Sequence, residues 1–224
     1  MLREFINIWK SDNLLKQAWD ESFEMLDIDQ EMFLEAVRIL RESDHTQVDQ
    51  EIRRKDKMIN RYEQDVRRKV MTHCTLQGPN ELPSGMVLVS IVIDIERIGD
   101  FCKNIVDLAV TFPRQLQGGT FEEDVQQIEK AVKYSFVQTK TCLESSDGAA
   151  ALQLLQEYRW VNRLCEECVM GLIHEKDKEI RPGEAVALAL YLRWLKRINA
   201  HLRNIASSVV NPFDRLGFKP KKKP

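Results

Sequence analysis

One stretch of this chain occurs twice, one hundred residues apart, and it constrains the fold more than any other feature. Residues 94–107 read DIERIGDFCKNIVD, and residues 194–207 read WLKRINAHLRNIAS. The apolar positions of the two copies coincide, with alternating spacings of three and four residues that are typical of an amphipathic helix. The repeat therefore predicts a duplicated helical unit.

Two polar positions recur together with the apolar ones. They are Arg97 and Asn104 in the first copy, matched by Arg197 and Asn204 in the second. We interpret them as structural residues that provide an inter-helix salt bridge and a hydrogen bond in each half. Asp94 lies three residues before Arg97, a spacing that predicts an ion pair within the helix.

Helical periodicity extends over most of the chain and predicts an all-α protein of two pseudo-symmetric three-helix bundles. Its six long helices are expected near residues 12–42, 48–75, 86–109, 121–143, 152–172 and 184–208. Residues 86–93 are apolar and β-branched, so propensity alone would also allow a strand there. The helical stripe continues to residue 109, well beyond strand length, and therefore favours a helix.

Breaks rich in glycine and proline divide this plan. We assign residues 1–111 to the first repeat, 112–120 to a linker and 121–210 to a second, degenerate repeat. Residues 211–224 end in KPKKKP and are expected to form a basic, disordered tail, because such a sequence is too polar to pack.

Composition excludes several classes of function. The formal net charge is −2, which gives no general attraction to nucleic acid. No apolar run reaches transmembrane length, and the start of the sequence lacks the apolar core of a signal peptide. Five cysteines, an odd number without a framework spacing, indicate a reducing compartment. We therefore expect a cytoplasmic protein.

The string ERIGD, followed by Asn104 and Ile105 within a duplicated three-helix plan, resembles the PhoU family over about residues 12–210. The resemblance implies a cytoplasmic, non-enzymatic regulator of phosphate uptake that acts by protein contact. Its implied partners are phosphate transporter components, the phosphate-sensing histidine kinase, or both. Membrane association would be peripheral and only through partners, and a homodimer is left open.

The same motif carries the candidate metal ligands, Glu96 and Asp100. They lie one helical turn apart and opposite the apolar stripe, an arrangement in which two carboxylates can share a hard or borderline cation. The resemblance implies metal binding through such acidic pairs in some family members. In the second repeat Lys196 and Ala200 replace the acids. Any metal is therefore expected in the first repeat alone, as a divalent or ferric ion among Fe, Zn, Ni, Mg and Mn.

Two carboxylates make a weak site, so a third ligand would have to come from a neighbouring helix. Asp29, Asp56 and Glu63 are candidates among which the sequence does not decide. The alternative interpretation is a solvated acidic face, on which Lys103 screens Asp100 and Asp107.

Other patterns are less specific. Cys165 and Cys168 form half of a zinc motif without a second half, and we expect them to be core residues. The basic clusters at residues 53–55 and 67–69 are expected to be solvated surface.

Two further functions remain as alternatives. One is a helical-bundle enzyme using carboxylates and a metal, for which no general base is evident. The other is a membrane-associated adaptor of a phosphate permease that uses the lysine tail and the apolar residues Phe5, Ile6, Ile8 and Trp9.

Overall fold

A computed structural model describes residues 13–43, 50–112 and 114–219, and these residues form an all-α protein without a strand. The α-helices are α1 (Leu14–Glu42), α2 (Gln50–Gln77), α3 (Leu82–Thr111), α4 (Glu122–Ser145), α5 (Gly148–Glu157), α6 (Arg159–Ile173) and α7 (Pro182–Ser207). The predicted all-α class is confirmed. Residues 86–93 lie inside α3, so the helical interpretation of that segment is confirmed as well.

The helix expected at residues 152–172 is instead two consecutive helices, α5 and α6, with Tyr158 between them. The backbone carbonyl of Tyr158 accepts a hydrogen bond of 3.1 Å from the side-chain amide of Asn199 on α7. A tertiary partner of this kind cannot be seen in the periodicity of the segment itself.

The three helices of the first half and the four of the second share one continuous apolar core, and the halves meet mainly along the repeated helices α3 and α7. The amphipathic stripe explains this arrangement, because equivalent residues of both copies are buried. Ile98, Ile198, Ile105 and Ile205 all have no exposed surface. Burial of large aliphatic side chains stabilises a fold by about 1.5–3 kcal/mol each, so the duplicated stripe carries much of the core.

A second connection between the halves is polar and is centred on Arg41 of α1. Its guanidinium pairs with Glu122 and, at 3.1 Å, with Glu129 of α4, and it also donates to the carbonyl of Leu116. Glu129 accepts a further hydrogen bond of 2.7 Å from the hydroxyl of Tyr191 on α7. The segment between the halves is therefore fixed at a defined place against α1.

Part of the expected tail is structured, which corrects the assignment of residues 211–224 to a disordered segment. The buried amide of Asn211 donates to the carbonyls of Arg215 and Phe218 at 3.0 and 2.7 Å. The backbone N–H of Gly217 donates to the Ser207 hydroxyl at 2.8 Å. Composition could not show this turn, because one buried side chain organises it. Residues 220–224 lie outside the described part of the chain.

Candidate functional site

Glu96 and Asp100 lie on α3, one turn apart, as the sequence predicted. Both are less exposed than an outward-facing helix surface implies, since the exposed fractions of their side chains are 16% and 28%. The reason is that α1 and α2 pack beside α3 and leave the two acids in the seam between the three helices. A helical wheel of α3 alone cannot show its neighbours.

Two cations neutralise this pair. Lys103 Nζ lies 2.8 Å from Asp56 Oδ1 on α2 and 2.9 Å from Asp100 Oδ1, so it bridges two helices. Arg97 lies 3.1 Å from Asp100 and 3.6 Å from Glu96. Burial opposes the charged form of Lys103, but its bonds to Asp56 and Asp100 outweigh this effect and raise its pKa. The predicted contact between Lys103 and Asp100 therefore exists.

The predicted screening of Asp107 by Lys103 is wrong. Asp107 pairs instead with Arg53 of α2. The residues of α3 alone do not indicate this pair, because the competing cation, Arg53, comes from the adjacent helix.

Asp29 of α1 is the most unusual member of the site. It has no exposed surface, and no residue that the structure describes donates a hydrogen bond to either of its carboxylate oxygens. Burial raises its pKa well above the ordinary value, and the charges of Glu96, Asp56 and Asp100 raise it further. Because an unpaired buried carboxylate is costly, such a residue requires an explanation other than packing.

Gly99 lets this carboxylate approach α3. A Cβ atom at position 99 would lie 2.9 Å from Asp29 Oδ1 and 3.0 Å from Ile59 Cδ1. Glycine at this position therefore admits a close neighbour, which a larger residue would displace. At the equivalent position of the second half, the buried side chain of Asn199 bonds to Asn162 at 2.9 Å.

We call Asp29, Asp56, Glu63, Glu96 and Asp100 the acidic cluster. All three candidates for a third ligand lie near the acidic pair. The charges of Asp56, Glu96 and Asp100 act on Asp29. The pKa of Glu96 is raised mainly by burial and by Asp100, and the charge of Glu63 raises it further. The cluster has the oxygen donors that hard cations prefer. As arranged, however, no three acidic, histidine or cysteine side chains of the described residues are placed to hold one ion.

The second half has an ordinary ion pair at the position that corresponds to the acidic cluster. Lys196, at the position of Glu96, pairs with the exposed residue Glu166 of α6. The first repeat is therefore where a concentration of acids exists, which agrees with the asymmetry of the sequence.

Asp94 does not pair with Arg97, so that prediction is wrong. Its Oδ1 lies 2.6 Å from His201 Nδ1 and 3.3 Å from Asn204 Nδ2, both on α7. The ring of His201 stacks on Phe101 with centroids 5.7 Å apart. Asn204 thus provides an inter-helix hydrogen bond, as expected. The expected inter-helix salt bridges are wrong, because the ion pairs of Arg97 remain within α3 and Arg197 lies 3.4 Å from His201 on its own helix.

Replacing Asp94 by alanine should weaken the contact between the two halves. The change leaves the polar atoms of His201 and Asn204 without their acceptor, a loss of about 1–3 kcal/mol, or roughly 2–4 °C in Tm per kcal/mol for a chain of this length. Thermal unfolding measures the effect. Asp65→Ala, at an exposed ion pair with Arg68, is the control and should change Tm little. Equal Tm values for both variants would contradict this role.

The remaining sequence candidates lie in ordinary surroundings. Cys165 and Cys168 are buried in the core, as predicted, and burial raises the pKa of each to about 12. All six basic residues of the two α2 clusters pair with acids: Arg53, Arg54, Lys55, Arg67, Arg68 and Lys69. They do not form a free cationic patch.

The described part of the chain contains no helix whose length and apolarity would let it cross a lipid bilayer. Phe5, Ile6, Ile8 and Trp9, on which the membrane-adaptor alternative depends, lie outside the described residues.

Comparison with known proteins gives consistent results. Residues 23–109 match the family model of the PhoU domain. The crystal structure of PhoU from Pseudomonas aeruginosa superposes with a TM-score of 0.79 at 22% identity, covering 88% of this chain and 95% of that one. The phosphate transport system regulatory protein PhoU from Streptococcus pneumoniae gives 0.76 at 16% identity, covering 88% and 93%. A comparison with curated protein sequences finds no match.

Proposed function

We propose that this chain is a member of the PhoU family, through the PhoU domain at residues 23–109, and that it is a cytoplasmic, non-enzymatic regulator of phosphate uptake. One observation carries the proposal. The PhoU domain lies within a fold that most of this chain shares with a phosphate transport system regulatory protein. Its partners on this proposal are components of a phosphate transporter, a phosphate-sensing histidine kinase, or both, and it reaches the membrane only through them.

The state of the acidic cluster supports regulation by contact over catalysis. Asp56 and Asp100 are bridged by Lys103, and Arg97 covers the outer side of Asp100. A general base needs a lone pair directed at a substrate, whereas these carboxylates are engaged in ion pairs.

We further propose that the cluster binds a divalent or ferric cation through Glu96 and Asp100. The unpaired oxygens of Asp29 behind Gly99 support this proposal, since a nearby cation would stabilise the ionised form of this buried acid. The ammonium of Lys103 is bound to Asp100, one of the two proposed ligands, so the cation must compete with Lys103. When bound, the ion would supply positive charge close to Asp29 of α1 and Asp56 of α2.

Deletion of the gene tests the regulatory proposal. The deletion strain should show altered uptake of radiolabelled phosphate and altered phosphate-responsive expression, and the wild-type gene should restore both. A gene encoding the Asp65→Ala variant is a suitable control and should restore both equally well. A deletion strain with unchanged uptake and expression, together with a purified protein that hydrolyses phosphate esters at ordinary enzymatic rates, would overturn the proposal.

A further inference from the structure

Arg203 of α7 is a partly buried arginine with an incomplete set of hydrogen-bond partners. Its Nη2 donates a hydrogen bond of 3.1 Å to the backbone carbonyl of Leu155, in the last turns of α5. Its Nε is buried and has no acceptor among the described residues. A guanidinium has five N–H donors and no acceptor, so the single carbonyl does not account for the position of this side chain.

A second arginine lies at the same place. The carbonyl of Tyr158, between α5 and α6, accepts a hydrogen bond from Asn199, one turn before Arg203 on α7. The junction of α5 and α6 therefore faces this part of α7. Arg159 follows Tyr158 directly and is exposed to solvent. Burial and the positive charge of Arg159 lower the pKa of Arg203, so the two guanidinium groups are close enough to repel each other.

No carboxylate in the described part of the chain forms an ion pair with either arginine, and no acid supports the charge of Arg203. Glu157, the acid nearest in sequence, lies beside Tyr158 instead, and burial together with the charge of Glu157 raises the pKa of the Tyr158 hydroxyl. A partly buried cation beside a like charge is unfavourable unless a counter-ion is present. The arrangement therefore lacks an anion.

The first half shows what is missing. Lys103, one hundred residues before Arg203, occupies the equivalent position of the repeat. Its ammonium pairs with Asp100 on its own helix and with Asp56 on α2. In the second half Ala200 stands at the position of Asp100. The second half therefore has a cation at the equivalent position without the acids that neutralise it in the first half.

We propose that Arg159 and Arg203 bind a tetrahedral oxyanion with two negative charges, with inorganic phosphate as the ligand. Two guanidinium groups match the charge of a dianion, and their paired N–H donors fit the oxygens of phosphate. The buried Nε of Arg203 would contact the inner oxygens, and the exposed side chain of Arg159 would contact the anion from the solvent side. This site goes beyond the proposed regulatory function and does not depend on it.

Equilibrium dialysis of the full chain against labelled inorganic phosphate, at constant ionic strength and with EDTA present, tests the proposal. The wild type should bind phosphate saturably at one site per chain, and sulfate should compete whereas chloride should not. Arg159→Gln and Arg203→Gln should each weaken binding about tenfold or more, since each removes charged donors. Arg163→Gln, on α6 at an ion pair of 3.5 Å with Glu167, is the matched control and should bind like the wild type.

Arg159 also separates binding from a purely structural role of Arg203, such as capping α5. Because Arg159 is exposed, Arg159→Gln should fold normally, and phosphate should raise the Tm of the wild type but not of this variant. Absence of saturable binding by the wild type, or equal affinity in both arginine variants, would overturn the proposal. Binding lost in Glu96→Ala/Asp100→Ala but kept in the arginine variants would place the phosphate at the acidic cluster and overturn it. Flotation on vesicles containing phosphatidic acid, without binding of free phosphate, would assign the arginines to a lipid headgroup and also overturn it.

Discussion

Replacing Asp29 by asparagine should stabilise the folded protein at neutral pH. Burial and the neighbouring acids raise the pKa of this carboxyl in the folded state. The folded protein therefore binds a proton that the unfolded chain releases once the pH exceeds the ordinary value of about 3.9. Stability must then fall as the pH rises from that value through the folded pKa. Asparagine removes this loss, because its side chain stays uncharged at every pH.

The effect has a characteristic pH profile. Near pH 4 the two proteins should have similar Tm values, and at pH 7 the asparagine variant should unfold several degrees higher, since each kcal/mol corresponds to roughly 2–4 °C for a chain of this length. Asp20→Asn, on the same helix but at an exposed ion pair with Lys16, should show no such gain at any pH. A lower Tm of Asp29→Asn at pH 7 would show that the carboxylate is paired in solution.

The double variant Glu96→Ala/Asp100→Ala should lose metal binding almost completely. Both proposed ligands are removed, while Lys103 retains Asp56 as a partner, so the helical circular dichroism should stay unchanged. Metal content after incubation with Fe³⁺, Zn²⁺ or Mn²⁺ measures the result. Asp107→Ala removes an acid of the same helix that pairs with Arg53, and this control should keep its metal.

The same account makes an opposite prediction for Lys103. Lys103→Gln removes a positive charge from the acidic cluster, and repulsion between unit charges at such short range is worth several kcal/mol at an effective dielectric constant near 20. Metal affinity should therefore increase. Metal retained by the double variant, or bound beside Lys196 in the second half, would show that the site is misplaced.

The fold was predictable because the helical spacing of its apolar residues is repeated and extends over long segments. Apolar spacing in two copies identified the helices and the relation between the halves. The polar side of one copy indicated that Glu96 and Asp100 lie one turn apart, and their role as ligands stays a prediction. The surroundings of these acids were not predictable in the same way. Asp56 on α2 accepts a hydrogen bond from Lys103 on α3, and only the packing of these two helices brings the residues together.

The burial of Asp29 could have been predicted from the sequence. It falls between Met25 and Met32 on the apolar face of α1, so its spacing already places it toward the core. Asp29 is one of three ligand candidates by sequence, and its core position is what distinguishes it from Asp56 and Glu63. Asp94 is a different case, because its partners His201 and Asn204 lie more than one hundred residues away and no local spacing indicates them.

The most direct test of the regulatory function is affinity capture of the tagged full-length chain from its native cells, grown with abundant and with limiting phosphate. Mass spectrometry should identify components of a phosphate transporter or a phosphate-sensing histidine kinase, in amounts that change with the phosphate supply. Untagged cells provide the background. Capture that recovers neither partner at either phosphate level, from cells in which the tagged chain restores normal phosphate uptake, would contradict regulation by direct contact.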